Sequence, residues 1–297
     1  MMNRTLFCLR NFQDKALKIL ADPYLFVFYV NTYLISRYKQ KWITTYVVSY
    51  PKSGRTWART TTRRYLELAQ NLGRFDRDGN HVRRPDGSFI KFDEDQGAWV
   101  PMPRRIDQLR FNERKYRGTK VCFIARHPGD VVVSSWYHLT YRERIYRGTL
   151  SEFIREPLVG VEKVIAFLNM WMANSDVPAA FQLVTYEEMR RDPLTAFAAM
   201  FRFIGFEPDP DLLARAVADT SFEQMKKMEL EKKVAEPWLR IGAEKSERGM
   251  KVRKGKIGGY REELSPEDVE FIHEKIAAKL HPALPYGREL AAAGTGG

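Results

Sequence analysis

One stretch constrains this chain more than any other: TTYVVSYPKSGRTW, which ends at Trp57. Thr45–Tyr50 is a β-branched and aromatic run, the composition of a buried strand. Pro51 stops it, and Ser53-Gly54 supplies a small-residue turn. Trp57, Thr61, Tyr65 and Leu68 then recur at intervals of three and four, which predicts a helix over Thr56–Leu68. A strand, a small-residue loop and a helix start together aim backbone N–H groups at an anion. Lys52 and Arg55 add two positive charges to that loop. It differs from the ATP-binding glycine loop, in which a lysine follows the second of two glycines. Here the lysine precedes a single glycine.

The rest of the chain alternates strand and helix patterns. Asp-Gly turns predict a hairpin whose return strand is Ser88–Phe92. Lys120–Arg126 reads as a second buried strand. Pro128 suits a first helical turn, and the helix is expected to run through Val131–Tyr146. Phe181–Tyr186 reads as a third strand. Asp192-Pro193 opens a helix ending near Gly205, Asp211–Ala218 forms a short one, and Ser265-Pro266-Glu267-Asp268 caps the last. This order predicts an α/β fold, a three-layer P-loop-like arrangement with a central parallel sheet flanked by helices. Residues 45–290 form the main domain, 1–44 an N-terminal helical, aromatic extension, and 291–297 a disordered tail.

The net charge of +12 over 297 residues points to an anionic ligand, an acidic membrane surface or nucleic acid, unless it is only solvated basic surface. Two cysteines, Cys8 and Cys122, exclude a disulfide framework and show no metal-ligand spacing; a reducing, cytoplasmic compartment fits. The longest apolar run, Tyr24–Ile35, is interrupted by Asn31-Thr32 and falls short of the roughly 20 residues that span a bilayer. Its aromatic residues are flanked by Lys15, Lys18, Arg37, Lys39 and Lys41. Two readings stand: helices packed outside the main domain, or a peripheral membrane contact through residues 15–41.

Arg126 ends the second strand, with Ser134 eight residues on. An arginine there can grip a phosphate with its bidentate fork, at the strand edge where open α/β sheets bind ligands. Five segments in order now carry a resemblance. Pro51-Lys52-Ser53-Gly54-Arg55-Thr56-Trp57 resembles the 5′-phosphosulfate loop of the sulfotransferases, which use 3′-phosphoadenosine 5′-phosphosulfate (PAPS). IARHPGDVVVSSWYH resembles their 3′-phosphate segment. Thr185-Tyr186-Glu187-Glu188-Met189 with Asp192-Pro193, Thr220-Ser221-Phe222-Glu223-Gln224-Met225, and Arg253-Lys254-Gly255-Lys256-Ile257-Gly258 resemble three further family segments. The resemblance implies sulfonate transfer from PAPS to a hydroxyl or amine, with no metal required. It implies that Ser53, Gly54, Arg55 and Thr56 hold the phosphosulfate and that Lys52 neutralises the leaving oxygen. Trp57 and Phe222 would sandwich the adenine, with Tyr186 and Thr220 beside it. Arg126, Ser134, Arg253, Lys254 and Gly255 would bind the 3′-phosphate.

Two departures stand out. Arg55 occupies a place where the family often has threonine. Many members also have a histidine base between the loop and the arginine strand, where this chain has Asp93-Glu94-Asp95. Glu94 is the expected base, with Asp93 or Asp95 next and His81 last. Lys52, Glu94 and Ser134 are thus the catalytic candidates. The expected acceptor is a small molecule, lipid or carbohydrate, and not nucleic acid. Trp99, Met102, Trp136, Tyr137, Tyr141 and Tyr146 could line an apolar acceptor pocket, or Arg104, Arg105, Arg142 and Arg144 could instead hold an acidic acceptor; core packing or solvated surface explains either set equally well. A lipid-phosphate-binding protein, a nucleotide kinase and an inactive PAPS-binding module are the alternatives.

Overall fold

The computed structural model describes residues 39–76, 79–94, 105–231, 249–250 and 253–287. Most of the 15–41 segment, Asp95, Trp99, Met102, Arg104 and the 291–297 tail lie outside the described residues.

The opening stretch folds as its pattern requires. Strand β1 covers Ile43–Ser49 and helix α1 covers Arg55–Ala69. Short strands β2 (Arg74–Phe75) and β3 (His81–Arg83) lead into β4 (Phe89–Asp93). Strand β5 is Lys120–Ala125, followed by α2 (Pro128–Tyr137) and a π-helical turn over His138–Arg142. Then come α3 (Val161–Met172), β6 (Ala180–Thr185), α4 (Tyr186–Arg191), α5 (Pro193–Phe203), α6 (Pro210–Asp219), α7 (Phe222–Glu231) and α8 (Pro266–Lys279).

The sheet order is β2-β3-β4-β1-β5-β6. Strands β4, β1, β5 and β6 run parallel, while the β2-β3-β4 edge is antiparallel. The sheet is therefore mostly parallel, as expected, with the predicted hairpin extending one edge. Successive side chains of a strand point to opposite faces. Val47, Cys122 and Ile124 accordingly pack with Trp57, Ala58 and Tyr65 of α1 on one face. Tyr46, Val48, Val121 and Phe123 pack with Val164, Phe167, Leu168 and Trp171 of α3 on the other. Both faces are covered, which accounts for the nearly unbroken apolar β1 and β5.

One expectation is corrected and one helix was not foreseen. Helix α2 ends at Tyr137 rather than Tyr146, because the backbone widens: Glu143 N–H donates to His138 O at 2.9 Å, an i→i+5 bond. Arg144 then adopts φ +55°, and the N–H groups of Ile145 and Tyr146 both return to Leu139 O. Helix α3 carries no sequence expectation, although Val161, Val164, Ile165, Leu168 and Trp171 recur at helical spacing and are all buried.

Candidate active site

The C-terminal ends of β1, β4 and β5 open onto a cavity of about 480 Å³. Its floor is the loop between β1 and α1. Lys52 adopts φ +72° and Gly54 φ +105°. That left-handed pair folds the chain tightly enough to present the start of α1, which has no acidic first-turn residue and no side-chain cap. A Cβ at Gly54 would lie 2.8 Å from the Tyr186 ring, so only glycine fits there. Lys52, Gly54, Arg55, Thr56 and Trp57 line the cavity. Ser53 is buried just behind it.

Arg126, at the end of β5, ties three segments together. It donates to Lys52 O at 3.1 Å and to Lys256 O at 3.3 Å, and its guanidinium lies 4.1 Å from the centroid of the Tyr186 ring. Asp130 stands 3.7 Å away, but its carboxylate is used elsewhere: it accepts from Gly258 N at 2.9 Å and Tyr260 N at 3.1 Å. Asp130 thereby anchors the 253–258 loop over the start of α2. Tyr186 fixes the same loop by donating to Gly255 O at 3.2 Å. His127 is the N-cap of α2, accepting from Gly129 N at 3.1 Å, and stacks on Tyr260. Burial, aided by Arg261, pushes its imidazole down to about 3, so it stays neutral and keeps its acceptor role at the cap.

The late loop brings further cations. Arg253 lies 3.8 Å over the Tyr137 ring and pairs with Glu263 at 2.6 Å; Lys254 also meets Glu263, at 2.8 Å. Gly255 has φ +61°, and a Cβ there would collide with the Phe222 ring. Ser134, Tyr186, Phe222, Arg253, Lys254 and Gly255 all line the cavity. Thr220 does not. It is buried, with its hydroxyl 2.8 Å from Thr61 Oγ1 and donating to Ala216 O at 2.7 Å. That hydroxyl packs α6 against α1.

Glu94 lines the cavity and forms an ion pair with Arg55. Asp93 points elsewhere, to Lys115 at 2.5 Å and Lys91 at 3.7 Å. Burial opposes its ionisation, but the two lysines outweigh it and hold the carboxyl far below the usual range. His81 is buried in β3, edge-on to Phe89, away from the cavity wall. The electrostatics of Lys52 follow from its setting. Burial first, then the charge of Arg142, with Glu229 opposing and Arg126 and Arg253 adding, pull its ammonium down to about 7.

Glu143 and Arg190 of the wall lie outside the segments singled out in the sequence, and His138, the last residue of IARHPGDVVVSSWYH, carried no expected role there. The Arg190 guanidinium lies 5.9 Å from the Trp57 ring and 5.6 Å from the Phe222 ring. Its signal was a position one helical turn after Tyr186. Of the proposed acceptor-pocket residues that are described, Arg142 alone lines the cavity.

The donors left over indicate what the cavity takes. Arg55 Nη1, Trp57 Nε1 and Arg126 Nε are buried N–H donors with no partner among the described residues. Buried donors are rarely left unpaired. A polyanionic nucleotide would satisfy the arginines, and the glycines leave room for its close approach.

Comparison with known proteins agrees. Residues 107–283, well over half of the chain, match the model of the sulfotransferase domain. The chain is 26% identical over 266 residues to cytosolic sulfotransferase 17 of Arabidopsis thaliana, covering 79% of this chain and 73% of that one. It is 24% identical over 260 residues to flavonol 3-sulfotransferase of Flaveria bidentis, covering 79% and 81%. Among solved structures, mouse sulfotransferase SULT7A1 complexed with PAP superposes with a TM-score of 0.57 at 18% identity, covering 84% of this chain and 89% of that one. The chain belongs to the sulfotransferase domain family.

Proposed function

We propose that the cavity binds PAPS in the manner its residues suggest, and that Glu94 takes the proton of a small-molecule hydroxyl. The chain is a PAPS-dependent sulfotransferase. The observation that carries the site assignment is Arg126, which joins the β1–α1 loop, Tyr186 and the 253–258 loop while keeping a buried donor in reserve.

The cofactor supplies an activated sulfonate. The loop at Lys52–Thr56 would hold its phosphosulfate, Arg126 with Arg253 and Lys254 its 3′-phosphate, and Trp57 with Phe222 the adenine. Ser134, in the wall beside them, adds a hydroxyl. Thr220 supports the slot from behind through α6. The acceptor oxygen loses its proton to Glu94 as it joins sulfur. The oxygen leaving sulfur keeps the bond's electron pair beside Lys52. Catalysis here is positioning and charge neutralisation, as in phosphoryl transfer. Of the carboxylates considered, Glu94 faces the cavity and Asp93 is held by two lysines.

Thermal stabilisation by 3′-phosphoadenosine 5′-phosphate (PAP), with ADP and AMP as controls, tests the reading. A ligand at a hundred times its dissociation constant adds about 2.7 kcal/mol. Wild type is expected to prefer the 3′-phosphate compound, and Arg126→Ala to lose that preference. Equal shifts with ADP and PAP would refute the site assignment. The relatives named cytosolic favour a cytoplasmic enzyme.

A further inference from the structure

We propose that the acceptor is polyhydroxylated, a sugar ring or its close chemical equivalent, held by His138 and Glu143 at the reacting end of the cavity. The proposal rests on the sulfotransferase reading and names its substrate class.

The pair is a product of the π turn. In an α-helix, residues five apart point roughly 140° away from each other. The i→i+5 turn is wider. Closed by the Glu143 N–H to His138 O bond, it turns the two side chains onto one face, with Nε2 and Oε1 3.5 Å apart. Both line the cavity, and so does Arg142 beside them. Arg142 is held by a 3.0 Å pair with the buried Glu229 and is the strongest neighbouring charge on Lys52. The π turn therefore borders the end of the cavity where the sulfonate would be transferred, with Glu94 also in the wall.

Once the residues assigned to the nucleotide and its phosphates are set aside, the described wall is more polar and charged than apolar: Glu94, His138, Arg142 and Glu143 stand among the former, and Pro51, Val133, Met225 and Tyr260 among the latter. A site for a flat apolar ring is lined chiefly by apolar and aromatic side chains. The aromatic residues nearby are committed to other contacts. Trp136 donates to Gly148 O at 3.0 Å, Tyr137 donates to Glu263 at 2.6 Å, and Tyr146 is buried edge-on to Phe153. An apolar acceptor would add no hydrogen bond to the carboxylates, imidazole and guanidinium that it covers. A ring of hydroxyls both donates to the carboxylates and accepts from the guanidinium and imidazole.

A free sugar and the sugar head of a lipid present the same hydroxyls, so both enter the test. Initial rates of PAP release by the full chain would be measured with methyl glucosides and galactosides, octyl glucoside and 2-naphthol, with PAP stabilisation run in parallel. We expect at least one glycoside to exceed 2-naphthol about tenfold in kcat/KM. Equal rates for methyl and octyl glucoside would identify the sugar alone as the recognised part; a large octyl preference would identify a glycolipid. Glu143→Gln and His138→Phe are each expected to raise the glycoside KM roughly tenfold or more, the loss of one charge-assisted hydrogen bond, and to leave the KM for PAPS within about twofold. Turnover of 2-naphthol but of no glycoside, turnover of no acceptor in the panel, or a glycoside KM unmoved in both variants would overturn the acceptor class. Failure of PAP to stabilise the protein would instead overturn the site reading beneath it.

Discussion

Lys52 makes the sharpest prediction, because its protonation and cofactor binding must be linked. In the ligand-free protein, burial and the charges of Arg142, Arg126 and Arg253 pull its ammonium down to about 7 from an ordinary value of 10.5. A bound 5′-phosphate reverses the balance by placing negative charge beside it, returning the group toward its ordinary range. The bound state then holds a proton that the free protein has lost at alkaline pH. Affinity for PAP must therefore fall as pH rises above 7, by about tenfold per unit until the bound-state value is reached. Between pH 7.5 and 9 the dissociation constant is expected to rise roughly 25-fold. The phosphates of PAP do not contribute, since their second ionisation lies near pH 6.

Titration calorimetry in two buffers of different ionisation enthalpy reads the proton directly. At pH 8.5, binding is expected to take up close to one proton per PAP. Lys52→Arg keeps the charge and does not titrate in this range, so its uptake is expected to vanish while binding persists. Uptake near zero in wild type at pH 8.5 would refute the reasoning, as would the same uptake in the variant. Stability of the ligand-free protein gives a second check. The folded value lies below the unfolded one, so the unfolded chain binds more protons between about pH 7 and 10.5. This group's contribution to stability therefore rises with pH across that window, and Lys52→Arg removes the rise.

Three other outcomes follow. Glu94→Gln is expected to lower kcat by about a hundredfold or more, the usual worth of a general base, while PAP stabilisation stays at the wild-type value; a turnover unchanged in this variant sinks its role as base. Gly255→Ala forces a left-handed backbone and a Cβ against Phe222, so PAP affinity is expected to fall about tenfold or more with the far-ultraviolet circular dichroism unchanged. Trp171→Ala empties a fully buried site packed on Tyr116 at 4.8 Å, Phe111 at 5.1 Å and Phe123 at 5.3 Å. It is expected to cost about 3–5 kcal/mol, read as a fall of roughly 10 °C in Tm.

The half of the cavity proposed for the cofactor was legible as a cluster because it is built from local signals. A strand, a glycine turn and a helix start can be read in thirteen consecutive residues, and Arg126 announces itself by ending an apolar run. Tyr186 and the 253–258 loop carry their own residue patterns. What stayed hidden depends on contacts distant in sequence. The parallel pairing of β4 with β1 leaves no periodic trace, so the position of Glu94 beside Arg55 could not be read. The π turn is another case: an i→i+5 bond replaces an i→i+4 bond without any change of residue type that a helical pattern would register. It is fixed in part by Arg142 meeting Glu229 across 87 residues. Thr220 was placed correctly in the chain but not in space, since one hydroxyl can serve a ligand or a helix contact with equal ease.

The two departures from the family pattern, noted separately in the sequence, meet in the structure. Arg55 stands where threonine is common, Glu94 stands in the stretch that replaces the usual histidine, and the two form an ion pair. Under the proposed function this pairing has a physical reason. A neutral histidine can sit beside an incoming sulfonate without penalty, whereas a carboxylate repels it. Two unit charges 4 Å apart interact by about 1 kcal/mol in water and about 4 kcal/mol near a protein surface, enough to weaken binding of the cofactor by about fivefold to nearly a thousandfold. A guanidinium between them offsets that repulsion, and its unpartnered Nη1 leaves it a donor for the sulfonate oxygens. Replacing Arg55 by the family's threonine while keeping Glu94 should therefore weaken PAPS binding more than PAP binding, since only PAPS brings the sulfonate. Restoring histidine at position 94 in the same chain should recover most of the loss. Equal effects on the two nucleotides, or no recovery, would show that the two departures are independent.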